Sequence, residues 1–153
     1  MDAIDLRILA RLQHDARISN VELARAVNLS PSPCLARVRA LEAAGYIERY
    51  VTLLDAKKLG LGVSVLVQVT LEKQIEPALG TFERAVRERP EVMECYLMTG
   101  EHDYLLRLVV ADMADFERIH SQHLTRLPSV ARVHSSFAMR TVTRAGSLPL
   151  RSG

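Results

Sequence analysis

The chain has 153 residues, 48% of them hydrophobic and 25% charged, with ordinary glycine and proline contents. This is the composition of one globular domain or two small ones, not of a disordered chain. The net charge of +2 is uneven, with nine Lys/Arg against seven Asp/Glu in residues 1–60 and eleven of each in residues 61–153, so affinity for a polyanion would have to come from several copies acting together rather than from one strongly basic face. Cys34 and Cys95 form no disulfide framework and no zinc spacing, which suits a reducing cytoplasm. The N-terminal MDAIDLRILARLQHD is not a secretory signal, and the longest apolar-leaning run, Val63 to Leu71, is too short to span a bilayer. The expected setting is a prokaryotic cytosol.

Asp2 to His14 reads as a helix with Ile4, Ile8, Leu9 and Leu12 as its buried stripe. Ser19 caps a second helix, with Glu22 at capping-box spacing and Val21, Leu23, Ala24 and Val27 on its apolar side. Asn28 stands where a turn needs positive φ, and Leu29 anchors that turn. Ser30 or Ser32 caps a third helix, with Pro31 or Pro33 in its first turn. Leu35, Val38 and Leu41 are expected to face inward. Ser32, Pro33, Ala36, Arg37 and Ala40 then fall outward, with Arg39 at the edge. Gly45 ends the helix, and the β-prone Tyr46 to Leu54 reads as a wing strand. The layout is a winged helix-turn-helix over residues 1–54, and the expected partner is double-stranded DNA. Ser30, Ser32, Pro33, Arg37 and Arg39 are the candidate contacts, with Arg37 as the principal reader.

Residues 55–62 (DAKKLGLG) form a linker, and residues 63–153 follow another pattern. Val63 to Leu71 alternates as a strand. Pro77 opens a helix with Ile75, Leu79, Phe82 and Val86 on one face, and Pro90 closes it. Val92 to Thr99 and Asp103 to Ala111 are strands joined by a short hairpin. Asp112 caps a helix carrying Met113, Phe116, His120, Leu124 and Leu127. Val130 to Val142 is a last strand, and Ala145 to Gly153 a loose tail. The order β-α-β-β-α-β is the ferredoxin-like plan, which makes the whole chain an α+β protein. Helices on one side of such a sheet leave the other side open. Val63, Val65, Val67 and Val69 are expected on that open side, and so large an apolar patch calls for a second copy of the chain, an obligate dimer through the valine-rich strand.

These segments resemble the Lrp/AsnC family of prokaryotic transcription regulators. The resemblance runs over nearly the whole chain. It is carried by SNVELARAVNLSPSPCLARVRALEAAGYIERYVTLLD (Ser19 to Asp55), ECYLMTGEHDYLLRLVVADM (Glu94 to Met113) and LTRLPSV (Leu124 to Val130), with the leucine-responsive branch most similar. It implies a DNA reader joined to a domain that dimerises and senses small amino acids, with dimers assembling into tetramers or octamers on nucleoid DNA. A free amino acid needs an acceptor for its ammonium and donors for its carboxylate. Asp103 is the candidate acceptor, and backbone N–H groups around Gly100 are the candidate donors. Tyr104 walls the cleft or donates to the ligand, His102 flanks it, and Ser135 and Ser136 add hydroxyls from a neighbouring copy. Phe137 is bulkier than the aliphatic residue common in the leucine branch, which turns the effector away from leucine itself if it lines the pocket.

Some siroheme decarboxylases resemble the same architecture, and His102, His120, His123 and His134 could serve such an enzyme. An outward arginine on an intact reader helix argues against it. No nucleophile–base arrangement or complete metal-ligand set is present, so the expectation is a non-enzyme without cofactor or metal.

Overall fold

The computed structural model describes residues 1–144 and 146–150. Ala145 and residues 151–153, part of the expected loose tail, lie outside them. The chain divides into two compact units, one of residues 1–53 with the described part of 142–153, the other of residues 54–141.

Three helices build the first unit: α1 (Ala3–His14), α2 (Asn20–Ala26) and α3 (Pro31–Ala43). Their ends are set by short-range chemistry. Asp2 and Asp5 form a capping box at α1, and Ser19 and Glu22 form another at α2, so orphan amides at each start are satisfied. Asn28 ends α2 at φ 59°, with Leu29 N–H donating to Ala24 O at 2.9 Å and Asn28 N–H to Arg25 O at 3.3 Å. Gly45 ends α3 at φ 75°, with Tyr46 N–H donating to Leu41 O and Gly45 N–H to Glu42 O, both at 3.0 Å. Both are Schellman closures, which need a residue that tolerates the left-handed region. The N-cap of α3 is Ser30, and Pro31 sits at its first position.

The core of this unit is Ile8, Leu9, Leu23, Ala24, Val27, Cys34 and Leu41. Two expectations change here. Val21 is exposed, and Leu35 is 38% exposed, while Cys34 is fully buried. At about 100° per residue, positions 34, 38 and 41 stay within one narrow arc, whereas steps of three drift round the helix. The expected wing strand is absent: Tyr46 to Leu54 joins no ladder, and Tyr46, Tyr50, Val51, Leu53 and Leu54 are exposed. Its β-rich composition meets no second strand within this unit. The tail also departs from expectation, because Leu148 is held at both of its backbone groups by the Gln13 side chain: Leu148 N–H donates to Gln13 Oε1 at 2.6 Å, and Gln13 Nε2 donates to Leu148 O at 3.3 Å.

The second unit runs β1 (Val63–Leu71), α4 (Glu76–Arg87), β2 (Val92–Leu97), β3 (Tyr104–Val110), α5 (Met113–Gln122), a 3-10 turn (Leu124–Arg126) and β4 (Val130–Phe137). The antiparallel sheet has order β2-β3-β1-β4, which is the ferredoxin-like arrangement. The strands end earlier than the sequence suggests, β2 at Leu97 and β4 at Phe137. In α5 the buried positions are Phe116 and Ile119, with Met113 exposed.

Register places Val65 opposite Leu108, Val67 opposite Leu106 and Val69 opposite Tyr104. All six are buried with Phe82 and Val86 of α4 and Phe116 and Ile119 of α5. The valine stripe therefore faces the chain's own helices, contrary to the expectation that it meets a second copy. Of β1's two faces it is the more apolar, and the apolar stripes of the helices take it. The uncovered face carries Leu66, Gln68, Leu105, Tyr96 and Ser136, with an ion pair from Arg107 Nη2 to Glu94 Oε1 at 2.8 Å. Val67→Ala is expected to lower stability by about 2 kcal/mol through lost burial and a residual cavity. Val67→Arg is expected to unfold this unit. Urea unfolding followed by circular dichroism checks both, and a folded Val67→Arg protein altered only in oligomeric state would place the valine at an interface after all.

Candidate functional site

The turn between α2 and α3 is stapled by Asn20, whose Nδ2 donates to the Pro31 carbonyl at 2.9 Å. This fixes how α3 leaves α2. With prolines at its first and third positions, α3 has only the Ser32 amide among its three leading N–H sites. Ser32 thus offers a hydroxyl and a backbone donor at a helix N-terminus, where anions are favoured. Ser30 is also exposed and makes no side-chain capping bond. Ser32, Pro33, Ala36, Arg39 and Ala40 are exposed along α3, and Arg39 forms no ion pair among the described residues.

Arg37 is placed differently from the reader the sequence suggests. Its Nη1 donates to Asp2 Oδ2 at 2.7 Å and to Asp5 Oδ1 at 2.8 Å. The same acids serve α1: Asp2 Oδ1 accepts from Ile4 N–H at 2.8 Å and Asp5 N–H at 2.9 Å, and Asp5 Oδ2 accepts from Asp2 N–H at 2.9 Å. The Asp5 amide first, and the Arg37 guanidinium next, hold the Asp2 carboxyl down at about 2. Arg37 is shifted upward in turn by Asp5 and Asp2.

In the second unit, Gly100 turns the β2–β3 hairpin at φ 124°, and Met98 N–H donates to Asp103 O at 2.8 Å. Asp103 is 5% exposed. Its Oδ2 accepts from Leu71 N–H at 2.7 Å, and its Oδ1 accepts from Gln74 Nε2. Asp103 therefore ties the hairpin to the end of β1. His102 Nδ1 lies 3.4 Å from Thr70 Oγ1. The N–H groups of Thr99, Gly100, Glu101 and His102 have no acceptor among the described residues. Tyr104 is core rather than cleft wall. Its ring lies 4.5 Å from that of Phe82, its hydroxyl donates to Glu83 at 2.9 Å, and burial first, then Glu83, pushes its pKa upward.

Ser135 and Ser136 fall on opposite faces of β4, with β1 between that strand and the hairpin strand β3. Ser136 is on the uncovered face. The Ser135 hydroxyl is buried without a hydrogen-bond partner among the described residues and lines a cleft of about 370 Å³ between α5 and β4, with Phe116, His120 and Phe137. Phe137 meets Phe116 edge-on at 5.0 Å. Gly100, His102 and Asp103 thus come together with Thr70, Leu71 and Gln74, while Ser135 and Ser136 stand apart from them. No group of three or more His, Cys, Asp or Glu among the described residues is placed to hold a metal ion, and no helix among them is long and apolar enough to cross a membrane. The partners of Arg37 and Asp103 lie about thirty residues away in sequence, so no local pattern signals them.

Residues 64–148 match the family model of the Lrp/AsnC ligand binding domain, and residues 1–48 match a winged helix-turn-helix DNA-binding model. The chain belongs to the Lrp/AsnC family. It is similar to the Bkd operon transcriptional regulator of Pseudomonas aeruginosa, 43% identical over 98% of each chain. It is also similar to the leucine-responsive regulatory protein of Escherichia coli, 40% identical over 99% of this chain and 93% of the relative. A crystal structure of a Neisseria meningitidis transcriptional regulator in complex with L-Met superposes with a TM-score of 0.93 at 38% identity, covering 97% of this chain and 96% of that one. Like other Lrp/AsnC members, this chain is a DNA-binding transcription regulator with a ligand-binding domain. Its relatives are regulators, not enzymes, so the tetrapyrrole-enzyme alternative falls.

Asp103→Asn is expected to destabilise the ligand-binding unit. An amide offers one acceptor oxygen, so either Leu71 N–H or Gln74 Nε2 loses its charged partner, at a cost of about 1.5–3 kcal/mol. Denaturant unfolding measures this, and an unchanged midpoint would remove Asp103 from its structural role.

Proposed function

We propose that this Lrp/AsnC regulator reads DNA through Ser32 and Arg39 of α3, with Ser30 and Pro33 at the groove edge, and that a free amino acid tunes its binding. The observation that carries the DNA reading is the exposed face of α3, where an unpaired arginine follows a proline-flanked serine. Ser32 suits a phosphate oxygen and Arg39 suits a base edge or a second phosphate.

For the effector, the unpaired amides of Thr99 to His102 suit a carboxylate. His102 borders that turn, and Asp103 keeps its shape rather than meeting the ligand directly. The Ser136 hydroxyl of a neighbouring copy, on the uncovered face, supplies an acceptor for the ammonium, whereas the buried Ser135 hydroxyl does not reach it. The L-Met bound by the Neisseria regulator supports an amino acid as the ligand class. The chain is proposed to work in the cytoplasm as a homodimer, with dimers joining into tetramers or octamers. The uncovered sheet face, where Leu66 and Tyr96 are exposed, replaces the valine stripe as the dimer surface. Leu66→Arg is then expected to shift light scattering from dimer to monomer with the fold intact. An unchanged mass would move the interface elsewhere.

A quantitative gel shift on a duplex selected from a random library tests the DNA reading. Arg39→Ala is expected to cost about 1–3 kcal/mol, and unaltered affinity would take Arg39 out of the interface. The same titration repeated with each of the twenty amino acids tests the effector reading. At least one is expected to change the apparent affinity and to raise the melting temperature, since ligand at 100 times its Kd adds roughly 2.7 kcal/mol. A panel without response would remove amino acids as effectors.

A further inference from the structure

The Arg37 cluster carries the observation that DNA reading leaves unused. Arg37 and Arg39 are two residues apart on the same helix, yet one is paired with two carboxylates and the other forms no ion pair among the described residues. Arg37 flanks the buried stripe of Cys34 and Leu41, so its stem leaves the helix at the edge of the core and its head reaches the first turn of α1.

The two acids that receive it are organised by α1 itself. Three bonds set their positions independently of Arg37: the Ile4 and Asp5 amides donate to Asp2 and the Asp2 amide donates to Asp5, the last two forming the reciprocal capping box, and acids at a helix N-terminus are favoured by its dipole. Asp5 is the more enclosed partner, with a side chain 15% exposed, which reduces solvent screening of the pair. One cation faces two anions, so the cluster carries a local charge of −1. A phosphate approaching Arg37 meets that charge as repulsion.

We propose that Arg37 is a positioning residue for DNA reading: with Asp2 and Asp5 it clamps α3 against α1 and so sets the angular phase in which Ser32 and Arg39 face the groove, while Arg37 itself touches neither base nor phosphate. A helix that rolls by one residue's worth of rotation moves its reading side chains off the base edges but leaves the charge of the surface nearly as it was. The clamp therefore acts on sequence preference rather than on general attraction for DNA.

The test rests on the DNA-binding reading and is built to fail separately from it. Arg37→Met, which keeps the stem, Asp5→Asn and the double variant are compared in the full-length protein. Each is titrated with a duplex selected from a random library by the unmodified protein and with an unrelated duplex of equal length, over a range of salt concentrations. Arg37→Met is expected to lose on the order of tenfold in affinity for the selected duplex. Affinity for the unrelated duplex and the slope of log K against log salt should stay the same.

Asp5→Asn supplies the sign test. Charge alone makes removal of an acid tighten binding to any duplex, whereas the clamp makes it weaken binding to the selected one. The double variant should be no worse than the poorer single variant, because both remove one interaction. A salt slope reduced by about one unit in Arg37→Met would make Arg37 a phosphate contact and overturn the proposal. Tighter binding of both duplexes by Asp5→Asn would overturn it as well. If circular dichroism shows Arg37→Met unfolded, Asp5→Asn and Asp2→Asn, which leave α3 untouched, decide by the same criteria. A selection that enriches no duplex would sink the DNA reading itself, and the clamp's role with it.

Discussion

A recognition helix has one geometric variable on which everything else in a reader depends, its rotation about its own axis. For α3 that rotation decides whether Cys34, Val38 and Leu41 enter the core and whether Ser32, Ala36 and Arg39 look outward. Hydrophobic burial fixes it only loosely, because small side chains such as Cys34 and Ala40 leave a shallow apolar contrast around the helix. Polar fixtures at the helix complete the job. Asn20 holds the carbonyl of Pro31, the Gly45 closure fixes the far end, and the Asp2–Arg37–Asp5 cluster holds the flank. The first joins α3 to α2 and the last joins it to α1, so a roll of the helix strains both together.

The second unit solves an analogous problem with a sheet. β1 is central and buries every second residue beneath α4 and α5, so a slip of one position would expose its valines and bury Gln68. Asp103 guards against that slip at one end. Its carboxylate takes Leu71 N–H at the point where the β1–β4 register shifts, next to Thr70. A buried carboxylate is costly unless its oxygens are satisfied, and here two donors from β1 and the following loop supply that. The acid thus couples strand register to the shape of the hairpin turn, which is also where the unpaired amides of the ligand-binding unit collect.

What could be read directly from the sequence was chemistry of short range. The capping box of Ser19 and Glu22, the left-handed residues Asn28 and Gly45, and the alternation of Val63 to Leu71 all involve residues within a few positions of each other, where propensity and period act without help. Both domain types and the order of the second unit's elements followed from them. The misreadings have one origin. Period says that a strand has an apolar face but not which layer covers it, so the valines were turned the wrong way. Spacing alone could not choose Cys34 over Leu35, since a cysteine reads as chemistry before it reads as a small hydrophobe. An outward arginine looks free until Asp2 and Asp5 arrive from another helix. Tyr46 to Leu54 has a strand's composition, but a strand is defined by a partner, and composition does not supply one.

The hold of Gln13 on Leu148 bears on how the chain comes to be made. These residues are separated by 135 positions, and every residue of the ligand-binding unit lies between them. As the chain is synthesised from its N-terminus, α1, α2 and α3 emerge before the ligand-binding unit, and their contacts are local enough to form at once. The tail that joins them appears only after the whole ligand-binding unit. The reader is thus begun before the ligand-binding unit and finished after it, and a chain interrupted between the two carries a three-helix unit whose α1 lacks its Leu148 partner.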